Sequence, residues 1–297
     1  MNEQAQQVLQ HLYKALETDQ IKLPTLPEVA LNVRQSIEKG EHCAADIAEL
    51  LVQDTSLSAR LLQLANSPLY RARSEIDNLQ MAITRLGIRI VKDLVIMLAI
   101  KQAFNTHNKA VEAQFRKVWQ ISIDIAAACR VLANTQSKVN PERINPKLIN
   151  PELINPEINP EQAMLAGLIH NIGALPVIEL TNSQPSLFDG GENLADICNE
   201  IQGPLGEKIL RFWNFPQTLI DVVGQWRDFH RPHNAPVDYV DIVQAALLYT
   251  SHTTTELITD RSDIPAISKL GLDPSEQQFN DLMQQQFDET RNSLLNV

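Results

Sequence analysis

Apolar residues along this chain recur at helical rather than alternating spacing. Ile47, Leu50 and Leu51 form one run and Leu57, Leu61, Leu62 and Leu64 a second, and Asp54-Thr55-Ser56 between them offers side chains able to cap a helix start. This predicts helix, short connection, helix. The second run stops at Asn66-Ser67-Pro68, because proline disfavours helix in the residue before it. A new pattern rises over 76–86 and ends at Gly87, and 88–104 is apolar enough for a central, mostly buried helix. Val118, Ile121, Ile125, Ala128, Cys129 and Leu132 mark one face of a further helix over 115–133. Helices are also predicted over 162–180, 200–212, 219–226 and 237–252, with a polar, peripheral one over 273–295. The expected fold class is all-α.

One segment breaks the pattern. Residues 139–161 read VNPERINPKLINPELINPEINPE, in which Asn-Pro recurs five times at spacings of five, five, five and four. Proline at that frequency forbids a continuous helix, and too few apolar residues accompany it to build a solenoid core. The segment reads as an expanded surface insertion between helices, and replacing it by a short Gly/Ser bridge is expected to change stability little.

Composition narrows the classes of function. Hydrophobic residues make up 44% of the 297 residues and only ten are glycine, which suits packed helices. The net charge of −11 repels phosphate backbones, so no nucleic-acid partner is expected. The apolar stretch 88–100 is interrupted by Arg89, Lys92 and Asp93 and falls short of the ~20 apolar residues of a membrane span. No membrane partner is expected, the N-terminus lacks a signal-peptide pattern, and a cytoplasmic location follows. Cys43, Cys129 and Cys198 are far apart and odd in number, without a Cys-x-x-Cys, and read as buried, reduced thiols.

Four ordered motifs then appear: Leu23-Pro24-Thr25-Leu26-Pro27-Glu28, Leu51-Val52-Gln53-Asp54-Thr55-Ser56-Leu57, Leu64-Ala65-Asn66-Ser67-Pro68-Leu69-Tyr70 and Ala82-Ile83-Thr84-Arg85-Leu86-Gly87. Their residues are caps, helix stops and packing faces, and none is a catalytic group. The succession closely resembles the HDOD family, a degenerate bacterial relative of the HD and HD-GYP metal-dependent phosphohydrolases, and runs from about Leu23 to Trp226. The resemblance implies an HD-like helical bundle: an N-terminal helical lobe over 1–107 and an HD-like lobe over 108–297, the latter carrying the Pro-rich insertion and a C-terminal helical extension.

Residues 163–173, AMLAGLIHNIG, resemble the HD signature itself. Active HD enzymes hold metal ions on an adjacent His-Asp pair, an upstream His, a downstream Asp and, in some branches, further His residues. On that pattern His170 is retained and the Asp becomes Asn171. The upstream His falls near Ile121, another on Gln202 ahead of Gly206, the later His pair near Trp226 and Arg227, and the downstream Asp on Ala246. The nearest substitutes are Asp221, Asp228, His230, His233 and Asp241, of which His230 and His233 flank Arg231-Pro232 in a turn. Trp119, Trp213 and Trp226 read as core aromatics.

The resemblance therefore implies a vestigial HD site at His170 and Asn171, with no catalytic residue, no metal and no cofactor. The function expected is a non-enzymatic signal-transduction or scaffold module acting through contacts with unknown protein partners of the signalling kind. The alternative is a metal-dependent HD-type phosphohydrolase, acting on a nucleotide or cyclic dinucleotide through a rearranged site around His170. The absence of a phosphate-cradling Gly-rich loop, a Gly-x-Ser-x-Gly elbow and a His-Glu-x-x-His helix leaves other hydrolase chemistries without an anchor.

Overall fold

The computed structural model describes residues 1, 3–17, 25–40, 43–70, 75–104, 108–137, 153, 155–188, 194–231, 235–250, 261–275 and 278–296. Among them every regular element is helical. The α-helices are α1 (Glu3–Glu17), α2 (Glu28–Lys39), α3 (Ala44–Val52), α4 (Thr55–Ala65), α5 (Leu79–Leu86), α6 (Ile88–Ala103), α7 (Glu112–Ser137), α8 (Pro160–Ile169), α9 (Ala174–Ser183), α10 (Leu194–Phe212), α11 (Gln217–Gln225), α12 (Tyr239–Tyr249), α13 (Pro265–Lys269) and α14 (Asp281–Leu295). The all-α expectation holds.

The motif residues act as local chemistry predicts. The Asp54 carboxylate accepts from the Leu57 N–H at 2.9 Å and caps α4. The Asn66 amide brackets Ile76, donating to its carbonyl at 2.7 Å and accepting from its N–H at 2.8 Å, so the chain leaving α4 is tied to the approach to α5. Asn78, two residues into the expected 76–86 helix, caps α5 through the Met81 N–H. Leu23 and Pro24 lie outside the described residues.

Helix α6 buries Val91 and all of 93–100, packing on α2, α4 and α5 and also on α8. A single apolar core consequently runs through both halves of the chain. Helix α1, within the expected 1–107 lobe, packs instead on α10, where Ala5, Val8, Leu9 and Leu12 meet Ile197, Ile201 and Leu205. Arg34 of α2 joins the halves a second time. Its Nη2 donates to the Trp213 and Asn214 carbonyls at 2.7 and 3.0 Å, and its guanidinium lies over the Phe215 ring.

Helices α7 and α8 make the closest long contact. A Cβ on Gly167 of α8 would stand 2.7 Å from Ala126 Cα and 2.9 Å from Cys129 Sγ of α7, so the glycine and the facing alanines set the separation. Helix α14 also lies on α7 and buries Thr290, Ser293 and Leu294, so it is more firmly seated than the peripheral helix its polarity predicts. The stretch Pro160–Ser183 has the length and hydropathy of a membrane span, but 83% of its apolar window is buried within the protein and the chain turns in its middle, which makes it a core element.

Two sequence expectations are corrected. Residues 139–152 and 154 lie outside the described residues, but the end of the Asn-Pro segment is built structure rather than surface linker. Asn155 Nδ2 donates to the Val237 carbonyl at 2.9 Å, and Val237 N–H donates to Leu153 O at 2.8 Å. The last Asn-Pro starts α8: Asn159 accepts from the Glu161 and Gln162 N–H groups and Pro160 takes the first turn, where its missing N–H costs nothing. Glu161 is then buried against Arg130, whose Nε and Nη2 donate at 3.2 and 3.1 Å, with Tyr70 Oη donating at 3.2 Å. A bridge replacing all of 139–161 would remove this cap and ion pair. Secondly, the thiols are not uniformly buried. Cys129 is, Cys198 is half-buried, and Cys43 is exposed because it occupies the N-cap of α3.

Buried Asp93 on α6 makes one element of the core sensitive to pH. Burial, opposed by Lys92 3.7 Å away and reinforced by Glu161, raises its carboxyl from 3.8 to about 6. Between those values the folded chain holds a proton that the unfolded chain has released, so this group's contribution to stability falls as pH rises from about 4 to about 6 and stays low above. Asp93→Asn is expected to remove that slope and to stabilise the protein at pH 8 by up to about 3 kcal/mol. Urea denaturation at pH 5 and pH 8 checks this; equal changes in stability at the two pH values would contradict it.

Candidate functional site

Helix α8 stops at His170, and the expected continuous helix over 162–180 is broken by the turn from His170 to Gly173 before α9 starts at Ala174. The break coincides with a close approach of two backbones. A Cβ on Gly173 would lie 1.8 Å from the Gln202 carbonyl oxygen and 2.7 Å from the Gly206 nitrogen, so the turn rests directly on the backbone of α10. The Ala174 N–H donates to the Asn171 carbonyl at 2.9 Å and closes the turn.

His170 is 1% exposed. Its Nδ1 lies 2.6 Å from the Gly167 carbonyl, which can only accept, so Nδ1 carries the proton. The ring meets Trp226 edge-on at 5.0 Å between centroids. Asn171, also buried, accepts through Oδ1 from Ser122 Oγ of α7 at 2.8 Å. Trp226 carries the Arg227 guanidinium on its face, 4.4 Å from the ring centroid. With the Gln202 amide oriented by its neighbours, Oε1 accepts from both Arg227 Nε and Nη2 at 2.8 Å. Burial pulls the guanidinium down to about 10, leaving it cationic at neutral pH.

The turn thus gathers His170, Asn171, Gln202, Trp226 and Arg227, all positions that the HD pattern singled out. Ile121 is not among them: it is half-buried in the apolar core, and the neighbouring Ser122 supplies the contact. Ala246 is fully buried on α12 and offers no lone pair. Among the described residues, none of the substitute ligands completes a site. Asp221 accepts from Gln217 on the surface, and Asp228 and His230 are exposed. Asp241 is buried but consumed by Lys269, Arg231 and the Asp238 cap. His233 lies outside the described residues. Trp213 and Trp226 are buried in the core, as expected, with Trp119 packed against it, and Trp226 also borders the site.

A divalent ion does not fit this arrangement. It needs several anionic or imidazole donors converging at ~2.0–2.6 Å, and among the described residues no three His, Cys, Asp or Glu side chains cluster. Around His170 stand an amide and a hydroxyl bonded to each other, a second amide, an indole and a guanidinium, and that last group repels a cation. The sequence missed one member, Ser122, which lay one residue from the expected position; it named Arg227 but not its bond to Gln202, which spans 25 residues and two helices.

The helical scaffold and the turn ending α8 define the class, an HD-type helical protein with an altered centre. The chain belongs to the HDOD family, whose HDOD domain model matches residues 23–229. A Shewanella amazonensis structure that carries the provisional name of metal-dependent phosphohydrolase is 30% identical, with a TM-score of 0.78, covering 99% of this chain and 100% of that one. An HDOD domain protein of unknown function from Geobacter sulfurreducens shares the fold at 20% identity, with a TM-score of 0.61 and 97% and 98% coverage. An uncharacterized protein of Treponema pallidum (strain Nichols) is 22% identical over 238 residues. Those residues are 74% of this chain, which spans 40% of the length of that curated relative.

The contact of Gly173 with α10 generates a sharp expectation. Gly173→Ala drives a methyl into backbone, which no side-chain rotation can relieve. It is expected to cost about 3 kcal/mol or more, read as a lower guanidinium midpoint, whereas an unchanged midpoint would show that the turn does not rest on α10.

Proposed function

We propose that this HDOD chain is a non-enzymatic signal-transduction or scaffold module that works in the cytoplasm through contacts with protein partners. The observation that carries the reading is the chemistry of the former ligand shell. Where phosphohydrolase metal chemistry needs carboxylates and imidazoles, this shell presents Asn171, Gln202, Ser122 and the cation of Arg227 around one histidine. Replacing Asp by Asn keeps the shape of the group but removes the charge that offsets a cation's desolvation. The apolar core stays continuous past this centre, through Ile169, Ile172 and Trp226, and so keeps the fold that would carry a recognition surface.

The name of the Shewanella protein supplies the rival activity for the test. Protein purified without chelator is expected to hold no stoichiometric metal, and to turn over neither phosphate monoesters nor cyclic dinucleotides when manganese, magnesium or iron is added. Near-stoichiometric metal, with an activity that disappears in His170→Ala, would overturn the reading and establish the phosphohydrolase.

A further inference from the structure

Helix α14 lies beyond residue 229, where the HDOD match ends, and packs on α7 and on the short turn Pro68–Tyr70. It is seated, but by few groups. Of its fifteen residues Thr290, Ser293 and Leu294 are buried, whereas α6 buries nine of sixteen. Thr290 and Ser293 spend their hydroxyls on carbonyls of their own helix, so Leu294 is its one buried apolar side chain. Leu294 lines a crevice with Leu64, Met97, Leu98, Trp119 and Leu168. Met283 and Phe287 rest half-buried on the core, and with Thr290 and Leu294 they recur at spacings of four, three and four, the pattern of a helix laid in a groove. Arg291 Nε meets Asp124 Oδ1 of α7 at 2.5 Å, and the Asn296 carbonyl accepts from Gln63 Nε2 of α4 at 2.5 Å. Phe279, just before the helix, stacks on Tyr249 of α12 at 5.0 Å and so fixes its root. Between α14 and α4 an open groove of about 650 Å³ runs past Gln63 and Pro68, so the helix does not fill the trough it lies in. A few apolar anchors, one ion pair and an unfilled trough are the features of a docked helix.

We propose that the trough between α7 and the Pro68 turn is a docking surface for an amphipathic helix of a protein partner, with α14 as its built-in, displaceable occupant. What α14 presents defines that partner. It carries two bulky apolar anchors one turn apart, a leucine seven residues after the second, and a basic residue set against Asp124. The net charge of −11 favours the approach of such a basic helix. This rests on the non-enzymatic reading and names the chemistry of the partner that the scaffold takes.

Fluorescence anisotropy of a labelled peptide of residues 278–296, added to the full chain, tests the surface. The unaltered chain is expected to bind it weakly, since its own α14 is in place. Phe287→Ala with Arg291→Ala in the chain loosens α14 and is expected to raise the affinity about tenfold or more. Adding Asp124→Lys to that chain is expected to abolish the gain, and a peptide carrying Arg291→Glu to restore it. Hydrogen exchange of the unaltered chain decides the matter if these variants do not fold: α14 amides are expected to exchange about tenfold or more faster than those of α7, by opening without global unfolding. No gain of peptide binding in the loosened chain, binding indifferent to Asp124→Lys, or α14 amides as protected as those of α7 would overturn the proposal. A loosened chain that dimerises and refuses the peptide would make a second copy the occupant and overturn it as well. Metal content and turnover, which test the non-enzymatic reading, are measured independently of all these outcomes.

Discussion

The turn that follows α8 can lie against the backbone of α10 only because no side chain stands at Gly173. Much of the site's arrangement depends on that contact. It ends α8 at His170, turns Asn171 toward Ser122 of α7, and brings both beside Gln202 of α10. Helix α11 packs on the same helix, where a Cβ on Gly206 would strike the Val223 side chain, and Trp226 at its end reaches His170. Side chains scattered from residue 122 to residue 227 thereby become neighbours. The close fit of Gly167 against Ala126 sets the spacing of α8 and α7 by the same means.

The chemistry at that junction contrasts with the protein's other buried polar clusters. Asp241 is neutralised by Lys269 and Arg231, and Glu161 by Arg130, so in each a carboxylate meets a cation. At the HD centre the cation is present and the carboxylate is missing. One imidazole fixed by the Gly167 carbonyl, two amides and a hydroxyl satisfy much of one another's hydrogen bonding, which keeps a polar pocket of the core intact without an ion. The hydrogen bonds that hold the turn run between the protein's own groups, and hydrolysis by a bound metal would call for carboxylate and imidazole ligands besides His170.

Much of the helical architecture was legible in the sequence because periodicity, Asp54 and Asn66 are local signals. The motif singled out His170 and Asn171, and the structure places both, buried, at the turn that ends α8. The break at residues 170–173 was not, because the apolar pattern continues through it and the obstacle is α10, some thirty residues away. The Asn-Pro segment misled for the opposite reason. Its composition argued for a linker, yet Asn159 and Pro160 suit a helix start, and the partner of Glu161 is Arg130 on another helix. Cys43 was expected in the core on the general habit of free cysteines, but its position just before α3 placed it at an exposed cap. Arg227 was marked only as a place where the pattern's histidine is missing; its bond to Gln202 appears only on folding.

The central claim is that a guanidinium and neutral hydrogen-bonding groups stand where metal ligands would have to be. Diffraction at the manganese absorption edge, from crystals grown with millimolar manganese, tests it directly. The account predicts no anomalous density within ~2.0–2.6 Å of the His170 ring nitrogens, the range of metal–ligand bonds, with Arg227 still bonded to Gln202. A strong anomalous peak bonded to His170, with Arg227 displaced from its place beside Trp226, would contradict it.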